Sequence, residues 1–215
     1  MRGWASGRRP WLVAALWALA FVLVYLWWWV AGIWPGSPWE DTYGIFMISA
    51  APTLAGAMAL FGILPGVDWV DQQAVAHPQR RDTVAAGVIA VTFGAIPPLA
   101  RWLFDVTTLY LRFVSETRLP PPDARYFWMW GLETSVVLAV TCGMVGLLGR
   151  LLGPLMGLAC FAALLTIQGY RVAPELIPRV GEQYSLVSYV GALLTITLGL
   201  GAFRLSRSGT RPLMR

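Results

Sequence analysis

The 215-residue chain is 57% hydrophobic and only 13% charged, with a mean hydropathy of +0.62. A typical soluble domain carries about 25% charged residues, so an ordinary soluble core is excluded. The net charge of +5 comes from 16 basic residues, all arginine. They cluster at the ends of apolar blocks, where orientation signals and anionic headgroups account for them and nucleic-acid binding is not needed.

The apolar residues form blocks of about 20, the length a helix needs to cross a hydrocarbon layer about 30 Å thick. The first covers approximately 11–34, behind Arg2, Arg8 and Arg9. It is too long for a signal-peptide core and is read as a retained span with Trp27, Trp28 and Trp29 near an interface. The second, 43–64, contains Pro52 and closes on Pro65 and Gly66. The third covers 83–100, where Pro97 and Pro98 end it; an interfacial helix over 101–115 is preferred to one kinked helix running on to Val114. The fourth and fifth, 126–148 and 151–169, are separated only by Gly149 and Arg150 and should form a tight hairpin. The sixth covers 184–203.

The expected fold is therefore an all-α integral membrane protein of six transmembrane helices with short connections, one domain over 1–215. Arginine distribution gives its orientation. The N-terminal tail, the second loop (Arg80, Arg81), the fourth loop (Arg150) and the C-terminal tail are basic, whereas the first loop carries Glu40 and Asp41. Positive-inside counting places both termini in the cytoplasm, in a multi-pass plasma-membrane protein.

Few polar residues interrupt the blocks. Glu133 lies about two turns into the fourth, where a carboxylate is costly and a substrate or proton pathway is the functional reading; reaching headgroups near the interface is the plainer one. Arg101 and Asp105 stand one helical turn apart, at ion-pair spacing. Cys142 and Cys160 lack any metal-site spacing and read as buried thiols. His77 has no zinc, phosphate-loop or serine-nucleophile signature around it, so no catalytic residue, metal or cofactor is expected. Gly149, Gly153 and Gly157, preceded by Gly143 and Gly146, are small-residue rows of the kind that lets helices approach closely in lipid.

The second loop is distinctive. In GVDWVDQQAVAHPQRRD, residues 66–82, Val67, Val70, Ala74 and Val75 recur at helical steps beside Trp69, and Pro78 closes the pattern. This is a short amphipathic helix over about 67–76, suited to headgroups or to a cytoplasmic partner.

Two stretches carry a family resemblance. VDWVDQQAVAHPQRRDTVAAG, Val67 to Gly87, resembles the cytoplasmic segment between the second and third spans of ABC-2-type exporter permeases in their actinobacterial form. GMVGLLGRLLGPLMGLACFAALL, Gly143 to Leu165, is similar to the small-residue turn between later spans of that family. The resemblance implies a membrane subunit without a nucleotide-binding domain, working with a separate cytoplasmic ATP-binding subunit and paired with itself or a related membrane subunit. It implies that Asp68, Trp69, Val70, Asp71, Arg80 and Arg81 contact the ATPase, with hydrolysis confined to that partner. Two readings compete: a non-catalytic assembly or accessory subunit, and, ranked below it, an intramembrane lipid-modifying enzyme using Glu133, Asp105 and the third-loop arginines.

Overall fold

A computed structural model describes residues 9–33, 42–63, 78–107, 124–169 and 185–207. These form six helices in chain order: α1 (Pro10–Ile33), α2 (Thr42–Ile63), α3 (Pro78–Gly94), α4 (Ile96–Val106), α5 (Ala124–Gly169) and α6 (Leu186–Arg207). No strand occurs among the described residues. Among the described residues, three stretches are long and apolar enough to cross a membrane: Arg80–Val106, Ala124–Gly149 and Leu186–Ser206. In hydrocarbon the backbone has no water to bond, so stretches of this kind are helical by necessity.

Proline and glycine set the joints. Pro78 opens α3, in the first turn, where its missing N–H costs nothing and its fixed φ is already helical. The helix therefore begins before Arg80, Arg81 and Asp82, and these residues belong to its opening turns and not to the loop. Pro97 and Pro98 cannot donate to the carbonyls four residues back, those of Phe93 and Gly94. The helix accordingly breaks at Ala95 and restarts as α4 with both prolines in its first turn. Thr107 closes α4, its N–H bonding Leu103 O at 3.1 Å and its hydroxyl bonding Phe104 O at 3.1 Å. The segment beyond Thr107, to which the expected interfacial helix extends, lies outside the described residues.

Within α5, Gly149 has φ 85° and ψ −179°. That backbone is open to glycine and strained for a residue with a Cβ. Here the helix doubles back, and the second limb lies against the first. A Cβ on Gly153 would strike the backbone of Val145, and one on Gly157 would strike Thr141. Two glycines of the small-residue row thus form the seam of the hairpin, while Gly149 makes its turn. Pro154 lies inside the returning limb, five residues past Gly149, and cannot donate to the carbonyl four residues back, that of Arg150.

The first limb of α5 is the centre of the bundle, touching α2, α3, α4 and α6, while α1 packs on α2 and α4. Helix directions follow from paired contacts. Gly131 meets Gly94, and Ser135 bonds Ala90 O at 3.1 Å, so α3 and the first limb of α5 run antiparallel. Gly199 meets Ala139, whereas Gly146 meets Phe203 and Ser206, so α6 runs parallel to that limb. The start of α3, the turn at Gly149 and the end of α6 consequently share one end of the bundle. The start of α1 and the end of α2 also meet, with Arg9 N–H bonding Gly62 O at 2.8 Å. Phe93, Phe127, Phe203, Ile48, Ile96 and Leu138 fill the interior.

Candidate functional site

The docking residues expected from sequence divide into two groups. Asp68, Trp69, Val70 and Asp71 lie outside the described residues. Arg80 and Arg81 are placed, both exposed, at the start of α3. A helix N-terminus carries partial positive charge, so cations there oppose the macrodipole by about 0.3–1 kcal/mol each. These two arginines therefore do not serve the helix that carries them, and their presence points outward. Asp82, the next residue, is 2% exposed and faces the protein interior. Arg204, in the last turn of α6, is exposed at the same end of the bundle, and there the dipole favours it.

The second candidate lies deeper. Glu133 is 7% exposed on the first limb of α5, nine residues after Ala124. A rise of about 1.5 Å per residue puts it roughly 14 Å along the helix from that end. Burying a carboxylate at this depth is costly, and such a residue marks a pathway or a ligand contact more often than it marks packing. Its neighbour Thr134 is 1% exposed, and Thr134 Oγ1 has no hydrogen-bond partner among the described residues. Helix α2, which packs on α5, has buried polarity of its own: Thr53 donates to Ser49 O at 2.7 Å, and Pro52 leaves Ile48 O without its usual helical donor.

Arg101 and Asp105 form the ion pair their spacing suggests, within α4. Arg101 is buried while Asp105 is 41% exposed at its side chain. The guanidinium carbon lies 5.8 Å from the Phe104 ring centroid and 5.9 Å from that of Phe127, so cation–π contacts tie α4 to α5. Sequence spacing reveals the partner one turn away. It cannot reveal Phe127, which arrives from another helix. The burial of Asp82 is likewise invisible in the sequence, because Arg80 and Arg81 just before it are exposed, and the burial of Thr134 depends on packing from other helices.

Both cysteines are free thiols, Cys142 buried and Cys160 partly so. Among the described residues no group of three His, Cys, Asp or Glu side chains stands together as a metal site would. No protein-family model, curated protein or solved structure matches this chain.

Proposed function

We propose that this protein is the membrane-spanning subunit of an ATP-driven transporter, working in export with a separate cytoplasmic ATPase. The observation that carries the reading is the charge on the described helices that border residues 64–77. Gly62, at the end of α2, is tied to Arg9 at the start of α1, and α3 opens with exposed Arg80 and Arg81. A short amphipathic sequence between these two helices suits a reversible contact with a soluble partner, whose apolar centre and polar rim it would match. In this reading all six apolar blocks cross the plasma membrane with the basic end in the cytoplasm. Asp68, Trp69, Val70 and Asp71 form the contact, Arg80 and Arg81 flank it, and Glu133 lines the substrate or proton path. Two such membrane subunits enclose that path.

Co-purification tests the reading. The full-length protein should bring down a polypeptide with a phosphate-binding loop, and Trp69→Ala with Val70→Ser should release it while leaving the membrane subunit intact. An unchanged association in that variant removes the docking role. If no ATPase accompanies the gently purified protein, the accessory-subunit reading replaces this one.

A further inference from the structure

We infer that the groove between α3 and α6 at the basic end holds an anionic phospholipid, its phosphate between Arg80 and Arg204 and an acyl chain along the apolar groove below. The inference rests on two of the three stretches long enough to span a membrane and is independent of any ATPase.

The geometry comes from one contact and the helical repeat. A Cβ on Gly87 would lie 3.7 Å from Leu200 Cδ1, so these residues mark where the two helices meet. Seven residues are close to two full turns, which places Arg80 on the same side of α3 as Gly87. Four residues are close to one turn, which places Arg204 on nearly the same side of α6 as Leu200. The helices run antiparallel, so both arginines project from the same end of one groove, and both are exposed. Below them the walls are aliphatic: Val84 is 59% exposed, Val91 67% and Leu193 61%.

Charge selects the occupant. A zwitterionic surface offers two guanidinium groups little net attraction, whereas an anionic headgroup offers each about 1 kcal/mol. Guanidinium also matches phosphate oxygens in a bidentate geometry that a simple point charge lacks. The nearest carboxylate on α3, Asp82, is buried on the opposite side of the helix and leaves the groove basic. Arg80 additionally sits at the unfavourable end of its helix dipole, and a bound anion there removes that cost. Acyl chains are the natural cover for α6, because only 11% of its apolar stretch is buried, against 50% and 56% in the other two. The assignment moves Arg80 from the flank of the proposed motor contact to the lipid, leaving Arg81 there.

The test uses the full-length protein in nanodiscs of phosphatidylcholine, alone or doped with phosphatidylglycerol, with retained lipid counted by native mass spectrometry. Phosphatidylglycerol should be retained in preference to phosphatidylcholine. Arg80→Gln and Arg204→Gln should each weaken that retention about fivefold, and the double variant about 25-fold, at roughly 1 kcal/mol per arginine. Arg125→Gln, at the far end of the bundle, should leave it unchanged. Arg80→Lys with Arg204→Lys should recover part of the affinity through charge alone, which separates headgroup binding from a folding defect. Equal retention of both lipids by the wild-type protein overturns the inference, as does an unchanged double glutamine variant. Displacement of the lipid by inorganic phosphate would show a free-anion site instead, and a lipid-free dimer sealed through α6 would show a protein interface; either result overturns it.

Discussion

Helix α6 has two sides built on opposite rules. Where it meets α5 it is made of small or precisely seated residues: Gly199 against the Ala139 carbonyl, and Ala202 and Phe203 against Gly143 and Gly146. On its other side Leu194, Leu198 and Leu205 are 57%, 71% and 66% exposed. A helix in water would turn those leucines inward. In lipid a leucine gains nothing by leaving hydrocarbon, so association depends on close approach, dispersion and occasional hydrogen bonds. The contrast shows that apolar bulk marks the lipid-facing surface here, while the absence of side chain marks protein contact. The hairpin within α5 and the crossing of α3 with α5 at Gly94 and Gly131 obey the same rule.

The strongest challenge to that rule is Gly153→Val. Its Cβ would fall on the Cα and N of Val145, backbone atoms that no rotamer change can clear. The hairpin would have to open, at a cost of about 3 kcal/mol or more. Loss of the folded, monodisperse protein in detergent is the expected result, and a variant as heat-stable as wild type would show that the hairpin does not pack this way. Gly199→Ala is milder, because a single methyl meets the carbonyl of Ala139 and the two helices can separate slightly. About 2 kcal/mol is expected, read as a lower midpoint in detergent unfolding.

How far the sequence reveals this arrangement depends on whether the signal is local. The helices follow from apolar block length: the first begins at Pro10 against an expected 11, the third at Pro78 against an expected 83, and the hairpin turns at Gly149 between its two blocks. The pairing of Arg101 with Asp105 is local too, since i and i+4 share a helix face. The α3–α4 break is half legible: Pro97 and Pro98 announce a disruption, but the turn falls at Ala95 because the lost donors belong to carbonyls four residues earlier. Contacts between helices are the illegible part. Gly94 and Gly131 carry no motif of spacing that joins them, yet they form a crossing, and Thr134 gives no sign of being inward until the bundle is assembled. Glu133 could be flagged as costly from its block alone, whereas the groove under Arg80 and Arg204 needed the Gly87–Leu200 contact. Charge at a block end reads equally as an orientation signal, a headgroup contact or a partner contact, and only register between helices distinguishes a paired site.

The smallest expected effect sharpens the comparison most. Gly201 is two residues from Gly199, and a Cβ there would meet nothing within 4 Å. Helical spacing puts it on the side of Leu194, Leu198 and Leu205. In water Gly→Ala within a helix stabilises by about 0.8–1 kcal/mol, chiefly through the backbone freedom of the unfolded chain. A chain unfolded within lipid keeps its helices, because its backbone groups have no other partners. Most of that gain therefore disappears, and Gly201→Ala should change the unfolding midpoint by less than about 0.5 kcal/mol equivalent. The result separates two surfaces that composition alone cannot. A near-neutral outcome means the outer side of α6 meets only lipid, which moves aside for a methyl group. A cost approaching that of Gly199→Ala would mean that a second protein surface lies against α6 as closely as α5 does, because only a packed neighbour can resist one carbon atom.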